Sequence, residues 1–122
     1  MNGQFWKILF VDPRSPYLID RTGDLKLATT DPKTHAVYIS SELYGDMLNR
    51  VLTHELGHCA IFSYDLLNDI HSVVPPDYWI DAEEWICNFI ADYGFKIFSV
   101  VHSVLGKKAW LFTPNNIEQF VA

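Results

Sequence analysis

Two histidines four residues apart constrain this chain more than any other feature. In His54-Glu55-Leu56-Gly57-His58 the spacing acquires a common direction only on a helix. Residues i and i+4 then stand one turn apart on one face, with Cβ atoms about 5–6 Å apart. Leu43, Met47, Val51, His54 and His58 continue each other at helical steps, so both imidazoles extend an apolar stripe. The period predicts a helix from about Glu42 to Phe62. It is expected to open at Ser40-Ser41-Glu42, where a serine can cap free N–H groups and Glu42 suits the positive end. Two imidazoles turned towards a core need partners, because unpaired buried polar groups are expensive.

A cation between them removes that cost. Imidazoles at this spacing converge on one ion at about 2.0–2.1 Å, the usual zinc–nitrogen distance. Glu55 sits about 100° round the helix from His54, too far round to be a natural ligand but placed to act as base on a water beside the ion. Gly57 costs about 1 kcal/mol of helix stability relative to alanine, which suggests a neighbour packed closely against it. A catalytic zinc takes a third protein ligand and leaves a position for water. In the continuation H-E-x-x-H-x-x-G-x-x-H that ligand is a histidine; here the required glycine and histidine are replaced by Ile61 and Tyr64. A carboxylate from a second helix is the alternative, and Asp81-Ala82-Glu83-Glu84 opens one, although acidic residues at a helix start also answer the helix dipole. Glu84 shares its face with Asn88, which can support a ligating histidine, and with the small Ala91. Glu83 shares a drier stripe with Cys87 and Ile90, so Glu84 is the favoured third ligand.

The rest of the chain supplies a small α+β domain. Phe5–Val11 is a short apolar run closed by Asp12-Pro13 and reads as a buried strand. The stretch from Asp12 to Asp24 reads as loop. Leu25–Thr30 and His35–Ser40 flank Asp31-Pro32-Lys33-Thr34 as an antiparallel hairpin. Asp65–Asp77 is ambiguous, with room for one helical turn, and Pro75-Pro76 closes it. Tyr78 to about Leu105 reads as a second long helical region with Ala82, Ile86, Phe89, Ile90, Tyr93 and Ile97 towards the core, a bend or break at Gly94 and a stop at Gly106. The tail from Lys107 has no clear period. At 122 residues one domain spanning 1–122 is expected.

Strand, serine-opened helix, HELGH and a second helix bearing Glu84-Trp85-Ile86-Cys87-Asn88-Phe89-Ile90-Ala91 together resemble the ImmA/IrrE-type zinc peptidases, which are compact gluzincin-like domains. The second-helix pattern E-x-x-A-N-x-F-A is met at Glu84, Asn88 and Ala91, while Cys87 and Ile90 replace the usual Ala and Phe. The likeness spans roughly Val37 to Tyr93. It implies a minimal zincin-like fold with about three N-terminal strands packed on the active-site helix and a second helix carrying the third ligand. It also implies one Zn2+ held by His54, His58 and Glu84, with Glu55 as base of a peptidase acting on a protein or peptide. Phages and mobile elements commonly encode such domains, and the family's helix-turn-helix partner region has no counterpart here.

Nine basic against fifteen acidic residues, a net charge of −6, argue against a nucleic-acid surface. No apolar run approaches the ~20 residues of a membrane span, and the amino end lacks the pattern of a secretory signal. Cys59 and Cys87 are expected to be reduced, in a soluble, cytoplasmic protein. Tyr38, His71, Tyr78 and His102 are the candidate helpers at an oxyanion, and the strand His35–Ser40 is the candidate edge for an extended peptide. Two other classes compete. One is a non-catalytic zinc domain with a fourth protein ligand such as His71 or His102; the other is a metal-free interaction module using Trp79, Trp85 and Trp110.

Overall fold

A computed structural model describes residues 1–110 of the chain. The architecture is α+β: strands β1 (Lys7–Val11), β2 (Ala28–Asp31) and β3 (Ala36–Ser40), then helices α1 (Gly45–Ser63), α2 (Leu67–Val73) and α3 (Trp79–Leu105). The strand order is β1-β3-β2. β2 and β3 form the expected antiparallel hairpin, whereas β1 runs parallel to β3. By internal contacts the chain divides after Ala91, into Met1–Ala91 and a second unit from Asp92 onward. No described helix is long and apolar enough to cross a membrane.

The central position of β3 explains its burial. All five of its residues are buried, and their alternation feeds two layers. Val37 and Ile39 meet Ala28, Val51 and Cys59 under α1, while Ala36 and Tyr38 cover Leu18 on the opposite face. Each fully buried Val or Ile contributes about 1.5–3 kcal/mol. β1 lies at the edge, and this corrects the reading of Phe5–Val11 as buried: Ile8, Leu9 and Phe10 are 42%, 41% and 57% exposed. Because β3 has neighbours on both sides, it cannot accept an added peptide strand; the hairpin's open edge belongs to β2.

The helix start is also displaced. Ser40 ends β3 with its hydroxyl buried and, among the described residues, unpartnered. Leu43 N–H closes a turn on Ser40 O, and Gly45, at φ +61°, opens α1 after Tyr44, with no side-chain cap. Serine capping is therefore replaced by a backbone turn. The segment 65–77 holds a longer helix than expected, α2, whose Ile70 packs with Ile61 and Cys87. α3 passes through Gly94 unbroken and stops where Gly106 takes φ +59°. Its expected core stripe is only partly right. Ala82 and Ile86 pack inward, but Phe89, Ile90, Tyr93 and Ile97 are exposed. The buried residues of α3 are Glu83, Cys87 and Ala91, a narrower stripe of small side chains below one carboxylate. The chain beyond Trp110 lies outside the described residues.

Gly57 sits where α1 meets α3. A Cβ added there would lie 3.1 Å from Cys87 Sγ and 3.5 Å from Cys87 Cα. The Gly57→Ala variant gains about 1 kcal/mol of helix propensity but must move two packed helices, an overpacking that costs about 1–3 kcal/mol. We expect a net loss near 1 kcal/mol, largely recovered in the Gly57→Ala/Cys87→Ala double variant. A double-mutant cycle by urea denaturation measures it.

Candidate metal centre

His54, Glu55 and His58 come from one turn of α1, and Glu83 and Glu84 from the second turn of α3. They line an open cleft of about 1060 Å³ together with Thr30 of β2, and all of them precede Asp92. The helical spacing does what the sequence required. Nε2 of His54 lies 3.1 Å from Nε2 of His58. The Glu84 carboxylate faces both, with Oε2 3.0 Å from His54 Nε2 and Oε1 3.2 Å from His58 Nε2. His54, His58 and Glu84 are thus close enough to hold one metal ion.

The distances also suit such an ion. Four donors at about 2.0–2.1 Å in a tetrahedron stand about 3.3 Å from one another, and the observed separations need only a small expansion. Two imidazole nitrogens and a carboxylate facing a common point in a half-buried site require positive charge there, supplied by a proton or by a cation. The donor set, two nitrogens and one carboxylate, is one that zinc uses.

Glu83 plays a part that the sequence reading gave to Asn88. Its buried carboxylate accepts a hydrogen bond from His58 Nδ1 at 2.6 Å, which fixes the tautomer and leaves Nε2 free to ligate. Asn88 lines the cleft but is exposed. Arg21, which no motif pointed to, holds Glu83 from the other side: Nη1 donates to Oε1 at 3.2 Å and Nη2 to Oε2 at 2.9 Å. His54 is treated differently, since its buried Nδ1 has no hydrogen-bond partner among the described residues. Such an orphan costs about 1–3 kcal/mol.

Glu55 is buried, and Thr30 Oγ1 donates to its Oε2 at 2.5 Å. Thr30 was also missed; as a strand residue next to the hairpin turn, it carries no local signal of a partner on α1. Burial pushes the Glu55 carboxyl above its ordinary value, partly offset by the Thr30 hydroxyl and the nearby imidazoles. Hydrogen bonds from His54 and His58 hold Glu84 well below the carboxylate range against the effect of burial. Burial opposes charge on His58, yet contacts with Cys87, Glu83 and Glu84 outweigh it and raise its pKa above the ordinary 6.5. In the metal-free protein His58 therefore carries a proton on Nε2 at neutral pH, and an incoming cation must displace it. Apparent zinc affinity is expected to rise about tenfold per pH unit between pH 6 and 8, with release of one proton. Chelator competition across that range measures the slope; a flat profile would show that His58 is not protonated in the metal-free protein.

Of the expected oxyanion helpers, Tyr38 lines the cleft but is stacked on Tyr17. His71 stacks on Trp79 instead, and Tyr78 is exposed outside the cleft lining. Compared with the profiles of known protein families, with curated proteins and with solved structures, the chain matches none, so the function has to be inferred from the donors and their surroundings.

Proposed function

We propose that this chain is a zinc-dependent metallopeptidase, with His54, His58 and Glu84 as ligands and Glu55 as general base. The observation that carries the proposal is the meeting of two Nε2 atoms and one carboxylate within 3.0–3.2 Å of each other beside a second, buried carboxylate in an open cleft. A closed structural zinc site takes a fourth protein ligand. Among the described residues the group comprises three, which leaves a position for a reacting molecule and favours the catalytic reading over the structural one.

Zinc, when bound, supplies a Lewis acid that activates water for attack and polarises the carbonyl under attack. Glu55 accepts the water's proton at its carboxylate and returns it to the leaving amine. Thr30 holds that carboxylate in place through Oε2, and burial brings its basicity nearer to neutrality. β2 forms one wall of the cleft and is an edge of the sheet. An extended peptide can therefore pair with β2, one strand away from the position the hairpin alone suggested. The test compares hydrolysis of an unstructured protein by the zinc-loaded chain and by its Glu55→Gln variant.

A further inference from the structure

The loop between Leu18 and β2 is tied into a compact hairpin whose purpose the fold alone does not explain. Ile19 bridges Leu25, Asp20 N–H donates to Asp24 O, and Lys26 N–H donates to Leu18 O. The Asp20 carboxylate accepts from Thr22 N–H at 2.9 Å, from Thr22 Oγ1 at 2.6 Å and from Asp24 N–H at 3.1 Å. Gly23, at φ +88°, makes the tip. This bracing presents one long side chain, Arg21, to α3. The guanidinium grips Glu83 through two parallel hydrogen bonds, and Glu83 Oε2 also accepts from His58 Nδ1. Arg21 Nη2 stands 3.6 Å from Glu84 Oε1 as well. A braced loop, an arginine, a buried carboxylate and a ligand imidazole thus form one continuous chain of contacts.

We infer that Arg21 is a positioning residue that sets metal affinity by holding Glu83 against His58, so that the Asp20–Lys26 hairpin acts as a strap retaining the ion. The inference rests on the metal-centre reading above. It makes a prediction that simple charge arithmetic contradicts. A guanidinium beside a ligand repels a bound cation, so on charge alone its removal would tighten zinc. If Arg21 works through Glu83, its loss weakens zinc instead. Without Arg21 the Glu83 carboxylate loses the two hydrogen bonds that seat it and no longer holds the His58 ring through Nδ1. Partners at this distance from a metal are typically worth 10- to 100-fold in affinity. Lysine retains the charge but not the two-pronged grip.

The test uses the full chain with zinc alone, in competition with a chromophoric chelator. Wild type should bind about one zinc per chain. Arg21→Ala should bind it about 10- to 100-fold more weakly, with Arg21→Lys between the two. In a Glu83→Gln background Arg21→Ala should cost no more than about twofold, because the two residues act in series. Circular dichroism of each metal-free variant checks that the fold is retained, and Arg21→Lys carries the test if Arg21→Ala unfolds. Unchanged or tighter zinc binding in folded Arg21→Ala, or full additivity with Glu83→Gln, would overturn the role of Arg21 and leave the metal centre standing. Absence of zinc binding by wild type would overturn the metal centre itself.

Discussion

Replacement of His58 by alanine should remove zinc binding and also weaken the metal-free fold, two effects that separate it from His54→Ala. Zinc held by four ligands is worth roughly 10–16 kcal/mol, so one ligand accounts for about 3–4 kcal/mol, or a loss on the order of 10²–10³ in affinity. Both histidine variants should show that loss. Only His58, however, donates to a buried carboxylate, Glu83. Its removal leaves that carboxylate with Arg21 alone, at a cost of about 1–3 kcal/mol. His54 Nδ1 is buried without a partner among the described residues, so His54→Ala gives up no such bond. Urea denaturation in the presence of a chelator should place metal-free His58→Ala well below metal-free His54→Ala. Equal stabilities would mean that the Glu83 contact contributes nothing.

The second large effect belongs to Glu55. Glu55→Gln keeps the size of the side chain and an acceptor for the Thr30 hydroxyl, and it leaves His54, His58 and Glu84 untouched. Zinc content should stay at wild-type level while hydrolysis falls about 10²–10⁴-fold, the usual worth of a positioned base. The raised pKa of Glu55 also sets the acid side of the wild-type profile. A base works only when deprotonated, so activity should climb as pH rises through that pKa and then level. The rising limb should lie above the ordinary carboxylate value. Hydrolysis by Glu55→Gln within twofold of wild type would exclude Glu55 as the base.

Much of the centre was legible because a helix converts spacing directly into geometry. The four-residue step from His54 to His58 fixed their convergence, and a second acidic helix supplied Glu84. Gly57 announced the close approach of α3 that Cys87 makes. Glu83 proved to be the buried carboxylate rather than a spare one; its stripe with Cys87 and Ala91 was a visible signal, since small residues at i+4 and i+8 mark the packed side of a helix. Arg21 and Thr30 were not legible. Their partners lie 62 and 25 residues away, and no local period encodes a contact made by a loop or an edge strand. The same limit applies to β1. A short apolar run looks alike at the centre and at the edge of a sheet, and only the strand order, with β3 between β1 and β2, decides which it is. Periodicity also overstated the inward face of α3, where aromatic residues beyond Cys87 keep the helical step but stay exposed.

The central claim is that three side chains from two helices grip one divalent ion. An anomalous-scattering map of zinc-soaked crystals, collected on both sides of the zinc edge, tests it most directly. The account predicts one strong peak per chain, about 2.0–2.1 Å from Nε2 of His54, Nε2 of His58 and a Glu84 oxygen. A map with no peak between those atoms, or with the ion bound by other residues, would contradict it.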